Sequence, residues 1–259
     1  MYSSEIQNDI NHLLQWSEKW QLPFNLGKCK VMHSGTNNPN HDYNMGDSKL
    51  EAVISEKDVG VTFDPLLKFK EHIRTMISKA NSRVGIIRRT FSKLSPKSFI
   101  LLYKSLVRPI LEYCSSIWYP LLKTDADEIE KVQRRATKIV PSISHLSYPE
   151  RLLALNIPTL KYRRDRTDML QVFRIIHGID RLNFDMFFEK SQGPTRGHEW
   201  KLFKPRATNS IRKNSFSHRT INPWNSLPKS VVECNSLNSF KNALEKAWAK
   251  NPSKYDPSG

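Results

Sequence analysis

The stretch from residue 67 to residue 91 constrains the fold most, because it has a long and regular helical period. Its apolar residues recur every three or four positions and therefore fall on one arc of a helix. They are Phe69, Ile73, Met76, Ile77, Ala80, Val84, Ile87 and Phe91. A helix of this length needs other elements to cover its apolar arc. We therefore predict that the middle of the chain is a packed helical region.

A second helix is predicted from Ser95 to about Ser116. Ser95 is a favoured N-cap residue, and Pro96 after it suits the first helical position. Pro109 lacks a backbone N–H and is expected to kink the helix. The residues expected on the inner face are Phe99, Leu102, Tyr103, Leu106, Ile110 and Tyr113.

A third helix is predicted to begin with Thr124 as its N-cap. Asp125 and Asp127 follow in the first turn, where carboxylates suit the helix dipole. They are also the closest pair of aspartates in the chain, and capping is favoured over metal binding for them. The residues expected to face inward are Ile129, Val132, Ala136 and Ile139.

These three helices carry most of the excess positive charge. The whole chain has 41 Lys+Arg against 25 Asp+Glu, a formal charge of +16. A solvated helix face usually carries both signs, whereas beyond residue 71 the first helix carries basic residues alone. We favour phosphate contact as the role of these side chains. The alternative is that they cover the core edge with their aliphatic stems.

The first 65 residues predict a small α/β region. Residues 5–20 keep helical spacing, and residues 24–33 and 50–63 are rich in β-formers. The segment between these two strands is dominated by Gly, Asn, Pro and Ser. We expect the strands to pair as an antiparallel hairpin across it.

Residues 142–259 predict a mixed, mostly helical region. A short helix is expected from Tyr148, and a longer one from Lys161 to His177 with Gly178 ending it. Weak strand candidates lie at 200–205 and 215–220. A tight turn is expected at 223–228, and a last helix follows a cap at Ser236.

Several classes of function are disfavoured by the sequence. The three cysteines are widely spaced, without C-x-x-C, which argues against a disulfide framework or a structural zinc site and fits an intracellular protein. No signal peptide or membrane span is predicted. Nucleotide-binding glycine motifs, H-E-x-x-H and Y-x-D-D are absent from the sequence, so no catalytic set is predicted.

Seven short motifs, taken in order, resemble one family. They are W-S-E-K-W at 16–20, F-N-L-G-K-C-K at 24–30, K-D-V-G-V-x-x-D at 57–64, R-R-x-F at 88–91, Y-K-S-L-V-R-P-x-L-E-Y at 103–113, K-V-Q-R-R-A-T at 131–137 and W-N-x-L-P at 224–228. Together they closely resemble the C-terminal part of reverse transcriptases from jockey-like non-LTR (LINE-type) retrotransposons. Each motif is weak alone, and their order makes the resemblance specific.

The resemblance implies a mainly α fold with a small antiparallel hairpin. Residues 1–65 would be the end of a polymerase palm, residues 66–141 a helical thumb, and residues 142–259 a C-terminal extension. Motif D of the family has a lysine near the incoming nucleotide, for which Lys28 and then Lys30 match best. Val59 and Gly60 would lie in the primer grip. Thumb residues implied to contact the nucleic-acid backbone are Lys79, Arg83, Arg88, Arg89, Lys104, Arg108, Arg134, Arg135 and Lys138.

The resemblance also implies what this chain lacks. The metal-binding aspartates of the family lie before the opening helix, so this chain is expected to be a truncated fragment that extends no primer and needs no cofactor. Mg²⁺ would serve only the intact enzyme. The expected partner is the backbone of an RNA/DNA template–primer, bound without sequence preference in the nucleus or cytoplasm, with no membrane involved. Trp16 or Trp20 is expected on an exposed apolar face. The alternative is a non-enzymatic helical interaction protein whose charge is only inherited.

Overall fold

The computed structural model of the protein describes residues 2–192 and 197–257. This described chain is mainly helical, and its named strands form three small sheets of two strands each. It divides into two compact units, the first running up to His72 and the second beginning at Ile73. The predicted mainly helical class is confirmed.

The first unit is one helix followed by six short strands. They are α1 (Tyr2–Lys19), β1 (Lys30–Val31), β2 (Asn44–Met45), β3 (Ser48–Lys49), β4 (Glu51–Ala52), β5 (Glu56–Asp58) and β6 (Val61–Phe63). One small core cluster of the unit consists of Tyr43, Met45 and Leu50, against which Ile10 and Leu14 of α1 pack. The side-chain amide of Gln7 adds two hydrogen bonds to the backbone of Asn44, at 2.8 and 3.0 Å. The predicted opening helix is thus confirmed.

The predicted hairpin between residues 24–33 and 50–63 is wrong. β1 pairs with β4 in parallel, with Lys30 opposite Glu51 and Val31 opposite Ala52. Two parallel strands need a long crossover, and the residues predicted as a plain loop supply it. That crossover contains a hairpin of its own, β2 with β3, which turns at Gly46. A second hairpin, β5 with β6, lies inside the segment predicted as one strand.

The second unit holds the three predicted helices and the C-terminal region. α2 (Lys70–Thr90) begins in the first unit and continues into the second. Then follow α3 (Pro96–Leu102), a π-helical segment (Tyr103–Val107), α4 (Arg108–Glu112), α5 (Lys123–Thr137), α6 (Tyr148–Leu155) and α7 (Leu160–Ile176). The remaining helices are α8 (Ser210–Asn214), α9 (Phe216–Arg219), α10 (Ile221–Asn225), α11 (Lys229–Val232) and α12 (Leu237–Ala247).

The π-helical segment changes which side chains of the predicted second helix are buried. A π-helix has more residues per turn than an α-helix, so side chains spaced four residues apart stay on the same face of the helix. The buried side chains are Phe99, Tyr103, Val107 and Leu111. Leu106 and Tyr113, which were predicted to face inward, are 43% and 50% exposed. The segment lies just before Pro109, where a kink was expected, and the helix ends at Glu112.

The caps were predicted with mixed success. Ser95 caps α3 by accepting a hydrogen bond from the backbone N–H of Ser98 at 3.1 Å, as predicted. The predicted cap of the third helix is wrong, because α5 begins at Lys123 and its N-cap residue is Leu122. Thr124 is therefore inside the first turn.

The C-terminal part differs from the prediction where weak strands were expected. Residues 215–220 contain helix α9, and residues 200–205 contribute only an isolated bridge between Lys190 and Leu202. The predicted turn around Trp224 is the short helix α10, whose tryptophan is fully buried. Trp224 packs in a core with Phe173, Phe240 and Leu244, so α7, α10 and α12 form one hydrophobic cluster.

Candidate nucleic-acid interface

The exposed side of α2 is basic over most of its length. Its basic residues are Lys70, Arg74, Lys79, Arg83, Arg88 and Arg89, and its only acidic residue is Glu71. Glu71 lies at the start of the helix and accepts a hydrogen bond from Ser55 at 2.9 Å. The helix therefore presents positive charge alone from Arg74 onward, as its sequence predicts.

Four of the predicted contact residues on α2 are free to meet a ligand. Lys79, Arg83, Arg88 and Arg89 are all exposed, and none forms an ion pair with a described residue. Lys79 and Arg83 are one turn apart and share a face. A phosphate backbone at this face would displace no internal partner of these side chains.

Lys104 and Arg108 differ in their surroundings. Lys104 is exposed on the π-helical segment. Arg108 is partly buried and lies 3.8 Å from Glu112, whose carboxylate also binds Arg163 through a hydrogen bond of 2.8 Å. Burial lowers the pKa of Arg108, and the neighbouring Arg163 lowers it further. Arg108 is thus already engaged within the fold.

The predicted residues of α5 are exposed beside an aromatic ring. Arg134, Arg135 and Lys138 all lie on the solvent side of the helix. The guanidinium of Arg134 lies 5.0 Å from the centre of the Tyr148 ring, and that of Arg151 lies 5.6 Å from it. Stacking of this kind holds a guanidinium in place while its N–H groups stay available.

The inner face of α5 carries polar side chains that the sequence pattern did not reveal. Gln133 accepts a hydrogen bond from the Tyr103 hydroxyl and donates to Tyr148 at 3.1 Å and to the backbone of Pro158 at 3.0 Å. Glu130 accepts hydrogen bonds from the Tyr148 hydroxyl and from the Leu160 N–H at 2.9 Å. Burial raises the pKa of Glu130, while the Tyr148 hydrogen bond opposes that rise. These contacts fix α5 relative to α6 and α7.

The first unit places its predicted residues at two points. Lys28 is exposed at the end of a short 3₁₀ turn (Leu26–Lys28) and pairs with no acidic side chain of the described chain. Lys30 lies on β1 and forms an ion pair with Glu51 of β4. Lys28 is accordingly the more available of the two lysines.

Val59 and Gly60 form the two-residue turn between β5 and β6. Both have a positive φ, 42° for Val59 and 85° for Gly60, which is the geometry of a type I′ turn. The Val59 side chain is 76% exposed. A β-branched residue seldom adopts a positive φ, so the tip of this hairpin is strained.

Sequence reasoning missed a cavity of about 480 Å³ in the second unit. It is lined by parts of α7, α9 and α10, by Tyr119, and by the segment that follows α12. The spacing of Lys161, Asp165 and Asp168 on one helix face was the available signal. This spacing alone does not predict a cavity, because the wall also includes Arg219, which lies in a segment that the sequence predicted as a strand.

Among the described residues, no group of three or more His, Cys, Asp or Glu side chains is placed to hold a metal ion. No described helix combines the length and the apolar character that a bilayer span requires. The three cysteines are free thiols.

Comparisons of the chain with protein-family models, with curated proteins and with solved structures find no match.

Proposed function

We propose that this chain is the C-terminal part of a jockey-like non-LTR retrotransposon reverse transcriptase that grips the template–primer backbone and does not polymerise. The observation that carries the proposal is the basic side of α2. Lys79, Arg83, Arg88 and Arg89 are exposed there, without ion pairs to described residues. Contacts of this kind hold a phosphate backbone without reading its sequence. The seven ordered motifs are the basis for assigning the family, and this family implies a location in the nucleus or cytoplasm.

The proposal assigns different tasks to the two units. In the first unit, Lys28 and the Val59–Gly60 turn lie on the motifs that resemble the nucleotide-facing lysine and the primer grip. In the second unit, the exposed basic residues of α2, together with Arg134, Arg135 and Lys138, would hold the duplex. The family's metal-binding Y/F-A-D-D turn does not occur in this sequence, and phosphoryl transfer by two metals depends on those carboxylates. We therefore expect binding without nucleotide incorporation.

The test is the salt dependence of binding to an RNA–DNA hybrid, measured by fluorescence anisotropy. For the chain itself, log K should fall linearly with log salt concentration. Replacing Lys79, Arg83, Arg88 and Arg89 with Ala should weaken binding and make the slope shallower by about 3 to 4.

A matched control removes four positive charges elsewhere, by the changes Lys49→Ala, Lys131→Ala, Lys229→Ala and Lys250→Ala. Three of these lysines already pair with acidic neighbours, Asp42, Glu128 and Glu233. The control should keep most of the affinity and slope. Undetectable binding at low salt, or equal effects of the two quadruple variants, would show that the proposal is wrong.

A specific observation supports the second candidate, a non-enzymatic helical interaction protein. α1 buries only part of its apolar surface, and Trp16 and Trp20 are 49% and 59% exposed. The same exposure was expected from the resemblance to a palm remnant, so the salt dependence of hybrid binding, rather than this surface, distinguishes the two candidates. In this alternative the chain would not bind the hybrid at low salt, and its charge would be without function.

Magnesium-dependent incorporation of nucleotides by the purified chain would contradict both candidates. A primer-extension assay with a labelled primer on an RNA template measures it directly. The expected result is no extended product at any magnesium concentration.

A further inference from the structure

The cavity of about 480 Å³ in the second unit has the size of a small-molecule site. Its wall combines apolar surface from Met169, Pro223 and Trp248 with polar groups from α7 and from the segment after α12. None of the basic α2 residues lines it. The cavity is therefore a different site from the basic surface of α2 that is proposed to hold the nucleic-acid backbone.

The charges at one side of the cavity neutralise each other. Arg219 donates two hydrogen bonds to Asp168, at 2.8 and 3.1 Å, and Ser116 donates a third at 2.7 Å. The Arg219 guanidinium also lies 4.4 Å from the centre of the Tyr119 ring. Both side chains of this ion pair are nearly fully buried, and their charges neutralise each other. This side of the cavity therefore offers a ligand a rigid surface without net charge.

Three polar groups of the wall keep unused hydrogen-bonding capacity. Trp248 uses its backbone in hydrogen bonds, and its indole N–H donates to no described residue. Asn251 accepts from Ser253 at 3.0 and 2.7 Å through its amide oxygen, which leaves its amide N–H groups free. Asp165 accepts from the Tyr119 hydroxyl at 2.8 Å, and a carboxylate has room for further donors.

Lys161 is the one charged donor of this wall that is weakly held. Its ammonium group lies 3.4 Å from Asp165, and its side chain is 44% exposed. An exposed pair of this kind contributes little. A phosphate group would therefore compete well for the ammonium.

We propose that this cavity binds a nucleoside monophosphate. Its base would lie against the Trp248 indole, with an exocyclic amino group donating to Asp165 and the phosphate accepting from Lys161. A planar base with donors and acceptors on its edge fits a wall that has an aromatic ring, an acceptor carboxylate in Asp165 and a cationic donor in Lys161. A free nucleotide and the unpaired end of a strand present the same chemistry.

The test uses the full chain and isothermal titration calorimetry with AMP, GMP, CMP and UMP. Lys161→Ala should lower the affinity for each monophosphate about tenfold and leave the affinity for adenosine unchanged, because adenosine lacks the phosphate. Asp165→Asn should weaken AMP, GMP and CMP more than UMP, whose base has no amino group.

Lys229→Ala is the matched control, because Lys229 and Glu233 form a similar pair on a helix, at 3.5 Å, away from the cavity. This control should bind AMP as the unchanged chain does. Absence of AMP binding, or equal affinities of the Lys161→Ala and Lys229→Ala variants, would overturn the proposal.

Two further arms identify the source of the nucleotide and separate the two proposals. If the site takes a strand end, a 5′-phosphorylated single strand should compete with AMP better than the same strand without its phosphate; equal competition points to a free nucleotide. AMP binding should persist when Lys79, Arg83, Arg88 and Arg89 are replaced with Ala. For the unchanged chain, absence of hybrid binding with intact AMP binding counts against the backbone grip alone, and hybrid binding without AMP binding counts against the cavity site alone.

Discussion

At the scale of single residues, Val59 has a backbone conformation that is unfavourable for a β-branched side chain but is imposed by the hairpin around it. It occupies a left-handed conformation at the tip of the β5–β6 hairpin, with a φ of 42°. Glycine adopts such a conformation at no steric cost. The strain must therefore be offset by the pairing of Glu56–Asp58 with Val61–Phe63.

We predict that Val59→Gly stabilises the chain by about 1 kcal/mol, because it removes the strain of a positive φ at a β-branched residue. Urea denaturation followed by circular dichroism measures this change. Gly60→Ala, at a φ of 85°, should act in the opposite direction. A destabilised Val59→Gly variant would mean that the exposed valine side chain contributes more than its strain costs.

Glu130 is a buried acidic residue whose ionisation should affect the stability of the helical core. Burial raises its pKa, so the folded chain keeps the proton to a higher pH than the unfolded chain does. Stability from this group is therefore present at low pH and is lost as pH rises through the raised pKa. Its hydrogen bonds from Tyr148 and Leu160 favour the ionised carboxylate and oppose the rise of its pKa.

We predict that the unfolding free energy of the unchanged chain, relative to Glu130→Gln, decreases as pH rises from the ordinary pKa of a glutamate carboxyl to the raised pKa of Glu130. Urea titrations of both proteins across this range measure the difference. Glu128→Gln, on the exposed side of the same helix, controls for the loss of a carboxylate at the surface. A difference that does not change with pH would contradict the role assigned to Glu130.

At the scale of elements, buried polar contacts join helices that are distant in the sequence. Asp168 of α7 binds Arg219 of α9, and Glu112 of α4 binds Arg163 of α7. Helix α7 is therefore attached by two ion pairs and by the Phe173–Phe240 stack, whose ring centroids lie 4.3 Å apart. Its position determines the shape of the cavity.

We predict that Asp168→Asn destabilises the chain by about 3 to 5 kcal/mol, because it leaves Arg219 buried without a counter-charge. Thermal and urea denaturation measure this loss. The double variant Asp168→Leu with Arg219→Met removes both charges and should lose less. If the double variant is the less stable of the two, the pair itself stabilises the fold.

At the scale of the whole molecule, the two units have very different cores. In the first unit, the cluster that α1 covers consists of Tyr43, Met45 and Leu50. In the second, the C-terminal cluster alone extends from Met169 to Leu244 and includes fully buried Trp224 and Phe240. The free energy of local opening depends on such burial.

We predict that backbone amides of the first unit exchange with deuterium much faster than those of α5, α7 and α12. Hydrogen–deuterium exchange with mass spectrometry measures this directly. Peptides from α1 are the most informative, because that helix packs on the small cluster only through a few side chains, among them Ile10 and Leu14, and should exchange early. Equal protection in both units would show that the first unit is stabilised by more than its own core.

The parts of the fold that could be predicted from sequence are those set by neighbours along the chain. The helical period predicted α1, α2, α7 and α12, and the Ser95 cap followed from residue type alone. The single sign of charge on α2 was equally visible, because it depends only on spacing along one helix. The α5 helix was predicted with the wrong N-cap residue, because leucine has no side-chain oxygen that could cap a helix and so does not mark a helix start in the sequence.

The tertiary structure decided every feature that joins distant residues. Whether β1 pairs parallel with β4, and which of Lys28 and Lys30 stays free, depends on a partner strand about twenty residues away along the chain. The buried roles of Gln133, Glu130 and Asp168 likewise depend on partners in other helices. The sequence determined helical content and where positive charge lies, because these follow local periodicity. Polar pairing and cavity shape follow from packing, which a one-dimensional pattern does not contain.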